Sequence, residues 1–325
     1  MALRPHGIET RLIAGDSTAA GIELAQDHGL EPECLHRSES DLQWTPSREF
    51  AEWLGPRLAG ADLVHAHMFG AWWAAARAVA AGVPLVASEH NAYTWPGEPH
   101  DRELRAALAR VDRFYAHSPA AAEYLRANGM PAERLVAGRA PIVIADRALP
   151  GLPTPRIVYT GRLTPDKGPD LLVEALGLLR GSAAAYILGE GPLRVPLERR
   201  VAELGIERHV TFTGWQIEPG RWVAEASMLV APSREEAWSQ SVVQAMAVGT
   251  PVVGTAVDGL PDVLAEGRGI LVEPEDPEAL ARAIDDVLAG RRLPDLDAAR
   301  AYASRFDPER VASEYAAAYR ELARP

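Results

Sequence analysis

Along the 325-residue chain, short β-branched or apolar runs alternate with longer alanine- and leucine-rich amphipathic stretches, in two successive series. Alternation of this kind places helices on the faces of parallel sheets and predicts an α/β fold. In the first series the strand candidates are Ile8–Ala14, Leu63–His67, Pro84–Ser88, Arg113–Ala116 and Leu135–Val136. Helix-like stretches fit Ser47–Leu58, Ala71–Ala81, Asp101–Ala109 and Pro119–Asn128. The last is sharply delimited, with Ser118 as N-cap, Pro119 at the first helical position and Asn128-Gly129 as a stop. Pro150, Pro153 and Pro155 with Gly151 mark a linker around Leu149–Pro155. The second series follows, with strands at Arg156–Thr160, Ala184–Leu188, Val210–Thr213, Met228–Ala231 and Pro251–Val253. Its helices fit Pro169–Leu179, Leu193–Leu204, Ser241–Val248, Pro277–Leu288 and Pro308–Leu322.

Two doubly wound, Rossmann-like domains are therefore expected, residues 1–150 and 151–307, with a ligand cleft at the carboxyl ends of the sheets. One irregularity stands at the start. Met1–Gly7 reads as the tail of a helix ending at Gly7, followed directly by Ile8–Ala14. The first strand of the N-terminal domain, with its turn and most of its helix, is missing from the pattern, and the natural start is expected upstream of Met1.

The net charge of −12 is spread over both halves: 14 arginines against 19 acidic residues up to position 150, and 19 basic against 26 acidic residues beyond it. No basic stripe exists to neutralise a phosphate backbone or an anionic membrane, which argues against nucleic-acid and membrane-surface partners. No apolar run approaches the length of a membrane span, so no integral membrane segment is expected. A single cysteine, Cys34, forbids an internal disulfide and fits a cytoplasmic location.

Of the 33 basic residues only Lys167 is a lysine. An ammonium on a flexible stem acts as a compact point charge, which an arginine fork does not. Lys167 closes the segment Tyr159-Thr160-Gly161-Arg162-Leu163-Thr164-Pro165-Asp166-Lys167-Gly168, which follows a strand, turns on glycines and enters a helix at Pro169. Phosphate sites need this arrangement: glycines allow close backbone approach, the helix start supplies free N–H groups, and Arg162 and Lys167 add fixed charge. A second segment, Ala231-Pro232-Ser233-Arg234-Glu235-Glu236-Ala237-Trp238-Ser239-Gln240-Ser241, also runs from strand to helix start. A carboxylate beside an anion site is repelled by the anion, so Glu236 there points to hydroxyl groups such as a sugar offers. The alternative is a carboxylate in a helix's first turn, worth about 0.3–1 kcal/mol.

These residues resemble the retaining glycosyltransferases of the GT-B fold, family-four type, which transfer a sugar from a nucleotide donor. Gly161-Arg162 with Lys167-Gly168 is similar to the family's donor-phosphate motif, and Gly189-Glu190-Gly191-Pro192 to its G-x-G-P loop. Glu236 to Gln244 occupies the E-x7-E motif. The resemblance implies a metal-independent enzyme with no cofactor beyond its nucleotide-diphosphate-sugar donor. It assigns Arg162 and Lys167 to the departing diphosphate, and Glu236 to donor-sugar hydroxyls. Gly161, Gly189, Glu190 and Gly191 form donor loops, and the amides of Ser239 and Gln240 meet phosphate. Trp238-Ser239 replaces the usual aromatic-glycine pair, and Gln244 stands where a second glutamate holds the ribose. The helix Pro308–Leu322 is expected to pack on the first domain.

In the first half, Val86-Ala87-Ser88-Glu89-His90 resembles the family's strand ending in a histidine that contacts the donor sugar, which makes His90 a catalytic candidate. His65 and His67 alternate on one strand and share a face. Their spacing could suit a metal, but no carboxylate or cysteine partner accompanies them. Tyr93 and Trp95, in a loop, and His67 are acceptor-side candidates, and the acidic first half favours a neutral or cationic small-molecule or glycan acceptor. Gly138-Arg139-Ala140-Pro141 departs from the family's asparagine-glycine-valine-aspartate turn. Two other readings compete: a non-catalytic nucleotide-sugar-binding protein partnering another chain, and a sugar-nucleotide epimerase.

Overall fold

The computed structural model describes residues 3–323 apart from 16, 18, 36–45, 91–97, 145–148, 150, 153 and 180–182. The chain divides into two compact units, Met1–Pro141 with Pro308–Pro325, and Ile142–Asp307.

The first unit runs β1 (Ile13–Ala14), α1 (Ala19–Asp27), β2 (Glu33–Cys34), α2 (Arg48–Leu54), β3 (Val64–His67), α3 (Phe69–Ala78), β4 (Leu85–Glu89), α4 (Glu98–Arg110), β5 (Arg113–Ala116), α5 (Pro119–Ala127) and β6 (Leu135–Ala137). Strands β3-β4-β5-β6 form one parallel sheet and β1-β2 a separate parallel pair, with no strand joining them among the described residues. The strand expected over Ile8–Ala14 is reduced to two residues, because only Ile13 and Ala14 find ladder partners, in Glu33 and Cys34. The expected helix tail is a single 3₁₀ turn, Arg4–His6, closed by Gly7 at φ +72°. Ser47 caps α2 through Phe50 N–H, but the helix tightens into a 3₁₀ turn at Gly55–Leu58, where Pro56 lacks the donor that a longer helix needs. Ser118 caps α5 at 3.0 Å from Ala121 N.

Period-two alternation gives the four-stranded sheet two different faces. Ala66, Leu85, Ala87, Phe114 and Ala116 enter an apolar core with Trp72, Trp73 and Leu108. The other face carries His65, His67, Ser88 and Tyr115, the last three in one register row across β3, β4 and β5.

The second unit runs β7 (Arg156–Thr160), α6 (Pro169–Leu179), β8 (Ala184–Leu188), α7 (Arg194–Glu203), β9 (Val210–Gly214), α8 (Gly220–Val223), β10 (Met228–Ala231), α9 (Gln240–Val248), β11 (Val252–Thr255), α10 (Leu260–Leu264), β12 (Ile270–Val272), α11 (Pro277–Leu288) and α12 (Leu296–Ala303). Its sheet is fully parallel in the order β12-β11-β10-β7-β8-β9. Ile157, Ile187 and Val230 face one core with α6, α7 and α11, while Val158, Leu188 and Leu229 face another with α9, α10 and α12. Sequence patterning does not reach β12, α8, α10 and α12; the first three span only three to five residues, too short to show a period.

The closing helix, α13 (Pro308–Leu322), belongs to the first unit. It lies on the polar face of the sheet: Tyr319 Oη is 2.5 Å from His65 Nδ1, and Tyr315 packs on Tyr115 at 4.6 Å between ring centroids. Arg139 donates to both oxygens of Glu314 at 2.7 and 2.8 Å, and Arg113 donates to Glu321 at 3.0 Å. The far nitrogen of His65 meets Ser88 Oγ at 2.8 Å. Among the described residues no helix is long and apolar enough to cross a membrane. Tyr319→Phe strips a half-buried imidazole nitrogen of its partner and should destabilise this unit by about 1 kcal/mol in chemical denaturation. An unchanged denaturation midpoint would show that the hydroxyl contributes nothing to α13 docking.

Candidate active site

Strands β7 and β10 are neighbours, yet the chain leaves β7 for α6 on one face and leaves β10 for α9 on the other. Loops that diverge from adjacent parallel strands open a crevice at the carboxyl edge, the topological switch point where α/β folds bind ligands. The β7 loop turns through a 3₁₀ segment, Pro165–Lys167, ended by Gly168 at φ +59°. A Cβ at Gly168 would fall on the carbonyl oxygen of Pro232, so glycine serves both the left-handed turn and the close approach of the β10 loop.

That approach brings Lys167 and Glu236 together. Lys167 Nζ donates to Glu236 Oε2 at 3.1 Å and to the Glu235 carbonyl at 3.2 Å, with Asp166 Oδ2 at 3.8 Å. The two side chains are only 21% and 13% exposed, so water screens this pair less than a surface pair. Ser233 Oγ donates to the same carboxylate at 3.3 Å, and Asp258 Oδ2 accepts from Glu236 N–H at 2.8 Å. Arg162 is more open: it pairs with Asp166 at 3.0 Å and is 66% exposed, which leaves it able to turn toward an anion. Beneath it the buried Tyr159 hydroxyl donates to the Arg162 carbonyl at 2.8 Å. Burial and the nearby carboxylates push this phenol up, so it remains a donor.

The other donor candidates flank this pair. A Cβ at Gly189 would fall on the Gly161 carbonyl oxygen and one at Gly191 on that of Leu163, so the β8 loop rests directly on the β7 loop. Leu163 N–H donates to the Glu190 carbonyl at 2.8 Å, while the exposed Glu190 carboxylate takes Arg194 at 2.7 Å. Ser239 precedes α9, and its hydroxyl meets Ser241 Oγ at 3.1 Å rather than capping the helix. Gln240 opens the helix. Trp238 packs on Phe306 at 4.9 Å, in the unit's own core. The Gln244 amide donates to the Val143 carbonyl at 3.0 Å. Sequence reasoning missed Tyr159, Ser233 and Asp258. Asp258-Gly259, a turn dipeptide after β11, was the readable signal for the last.

In the first unit His65, His67, His90 and His117 form a row at the carboxyl edge of the sheet. Successive ring centroids lie 4.2, 5.7 and 4.0 Å apart, and His67 Nδ1 stands 3.4 Å from His90 Nε2. A Cβ at Gly138 would strike the His117 ring, so that glycine makes room for it. Both nitrogens of His117 are buried without a hydrogen-bond partner among the described residues. Among the described residues no three histidine, cysteine or acidic groups are set to hold a metal ion. Burial, reinforced by the neighbouring imidazole of His90, pushes His67 down to about 4 and His117 down to about 3. Burial lowers His65 and His90 as well. Tyr93 and Trp95 lie outside the described residues.

Two parallel-sheet α/β units in one chain, one with its sheet in this order, are the architecture of the GT-B fold. The chain belongs to the family-four glycosyltransferases: the Glycosyltransferase Family 4 profile matches residues 1–137, and the Glycosyl transferases group 1 profile matches 154–290. The D-inositol 3-phosphate glycosyltransferase of Streptomyces avermitilis is 32% identical over 72% of this chain and 59% of its own length. The enzyme of the same name from Streptomyces griseus is 32% identical over 82% of this chain and 68% of its own. This chain thus spans about six- to seven-tenths of the length of these relatives. HepE of Anabaena, solved with UDP and glucose, superposes with a TM-score of 0.81 at 20% identity, covering 98% of this chain and 93% of that one.

The histidine row has a consequence for pH. The unfolded chain protonates these imidazoles near the ordinary 6.5, whereas folded His67 and His117 resist to about 4 and about 3. The stabilising contribution is therefore fully present above pH 6.5 and is lost as pH falls toward those values, by about 1.4 kcal/mol per pH unit for the buried His117 and by less for the exposed His67, which solvent screens. Denaturation of the wild type at pH 7.5, 5.5 and 4.5 should show this loss, and His117→Gln should flatten it. Equal slopes would remove His117 from the account.

Proposed function

We propose that this chain is a retaining, metal-independent glycosyltransferase that moves a sugar from a nucleotide-diphosphate donor to a neutral or cationic small-molecule or glycan acceptor. The observation that carries the reading is the Lys167–Glu236 pair at the switch point of the second unit's sheet. A diphosphate leaving group needs positive charge where its oxygen departs. Lys167 supplies it from a half-buried position, and the exposed Arg162 can close on the same anion. These two side chains take the place of a divalent ion. Glu236 then accepts from donor-sugar hydroxyls, which a carboxylate already bonded to Lys167, Ser233 and the protein's own fold can do in a fixed orientation.

In a front-face transfer the bond from sugar C1 to the phosphate oxygen breaks while the acceptor oxygen bonds C1 on the same face. The acceptor hydroxyl proton passes to the departing phosphate oxygen, so no enzyme nucleophile is required. His90 is assigned to hydrogen bonding with sugar or acceptor hydroxyls. As a neutral imidazole it can both donate and accept. The neutral histidine row and the acidic balance of the first half, 14 arginines against 19 acidic residues, favour an uncharged polyhydroxylated acceptor over a phosphorylated one. A cytoplasmic location is part of the same proposal. The non-catalytic reading draws on Gln244, whose amide is engaged by the Val143 carbonyl rather than left open for a ribose.

Melting with UDP, GDP and dTDP tests the donor site, since a ligand at a hundred times its dissociation constant adds about 2.7 kcal/mol. One nucleotide should raise the midpoint, and Lys167→Ala should abolish the rise. Losing a charged hydrogen bond of about 1.5–3 kcal/mol implies a roughly ten- to two-hundredfold lower kcat/KM. Nucleotide binding without transfer or hydrolysis of a labelled donor would favour the non-catalytic reading, and no response to any nucleotide would defeat both.

A further inference from the structure

Two residues before Glu236, Arg234 makes a set of bonds that no part of the proposed reaction uses. Its Nη1 donates to the Pro165 carbonyl and to Asp170 Oδ1, both at 2.8 Å, and its Nη2 donates to Asp170 Oδ2 at 2.7 Å. On the other side Nε and Nη2 meet the two oxygens of Glu275 at 2.5 and 3.2 Å. The backbone adds to this: the N–H groups of Arg234 and Glu235 both donate to the Asp166 carbonyl, at 2.8 and 3.1 Å. Pro165 and Asp166 form the same short turn that carries Lys167.

We infer that Arg234 is a positioning residue, a guanidinium clasp that sets the β7 loop against the β10 loop and thereby holds Lys167 at bonding distance from Glu236. Its effect on transfer rests on the donor site proposed above. The bland alternative is a solvated surface ion pair, worth little. The geometry differs from that case. The fork is bidentate to each of two carboxylates and reaches a main-chain carbonyl, and the Arg234 side chain is only 28% exposed. A lysine cannot reproduce this, having one nitrogen where the clasp uses three.

The supporting carboxylates carry a second, independent sign. Glu275, between β12 and α11, and Asp258, between β11 and α10, both adopt left-handed backbone conformations, φ +58° and +43°, which residues with a Cβ disfavour. One ends on Arg234 and the other on the Glu236 amide. Two such conformations converging on one four-residue segment, Ser233 to Glu236, indicate that the surroundings over-determine its position.

The sole lysine makes the inference directly observable. In protein grown on 13C-labelled lysine, Lys167 gives the only side-chain Hε–Cε signal. In the wild type its two Hε protons should be inequivalent, as in an ordered side chain. Arg234→Gln should merge them toward the shift of free lysine while the melting midpoint shows the fold retained. With UDP-glucose as donor, Arg234→Gln and Arg234→Lys should each lower kcat/KM about ten- to a hundredfold, as misplacement of a binding group does. On a Lys167→Ala background, Arg234→Gln should cost less than about threefold, because coupled residues are not additive.

An unaltered Lys167 signal in folded Arg234→Gln, or losses that multiply independently, would overturn the inference. If Arg234→Gln does not fold, Asp170→Asn and Glu275→Gln each remove one arm. A change in the Lys167 signal with either supports the clasp, and no change with both refutes it. The signal needs no donor, so a failure of the transfer reading leaves this measurement intact.

Discussion

The architecture of the second unit turns on holding an ammonium and a carboxylate together at the mouth of a parallel sheet. Lys167 and Glu236 come from loops after strands that are adjacent in space and separated by two others in sequence. Each loop runs away from the other into a helix on the opposite face, so nothing in the strands themselves keeps the two side chains in register. Closeness has to be built by the loops. Gly168 supplies it by omitting a side chain where Pro232 approaches, and Asp166 supplies it by taking two consecutive amides of the β10 loop on one carbonyl. The ion pair is thus the result of loop packing more than its cause, as expected for a pair whose own attraction is modest.

How much of this was readable beforehand divides along a physical line. Local signals were readable: a lone lysine among 33 basic residues, glycines at fixed offsets after a strand, and a proline at the first turn of a helix are contiguous in sequence. The β7 strand, the Gly161–Gly168 loop and the start of α6 follow from them directly. What was not readable depends on pairing between distant segments. Arg234 looks like any exposed arginine until Asp170 and Glu275 are placed on either side, 64 and 41 positions away. The row of four histidines was half visible, since His65 and His67 alternate on one strand. His90 and His117 join only because β4 and β5 lie in register beside it. The strand over Ile8–Ala14 failed for the complementary reason: its residues have strand-like character, but a ladder needs a partner, and only two of them have one.

The family's motif departures also become intelligible in place. Where the family has a second glutamate, Gln244 gives its amide to a main-chain carbonyl, a bond that an ionised carboxylate cannot make because it has no hydrogen to donate. The substitution therefore changes what that position can do as well as its charge. Trp238 is drawn toward Phe306 and the apolar cluster, which leaves the uncapped start of α9 defined by small hydroxyl residues. A serine where glycine is usual still leaves its amide in place.

The two units solve different electrostatic problems with different residues. The second concentrates fixed charge at its crevice, the ammonium of Lys167 and the guanidinium groups of Arg162 and Arg234, each paired with a carboxylate. The first lines the carboxyl edge of its sheet with imidazoles that burial keeps uncharged at neutral pH. Neutral imidazole, with one donor and one acceptor, suits hydroxyl groups, whereas a lysine or arginine row would suit phosphate. A chain with net charge −12 thus has its only lysine in one crevice, and in the other unit four imidazoles whose basicity is lowered. For the transfer proposed here that separation is useful. The departing diphosphate meets full positive charge, while the attacking hydroxyl meets groups that can orient it without competing for the phosphate.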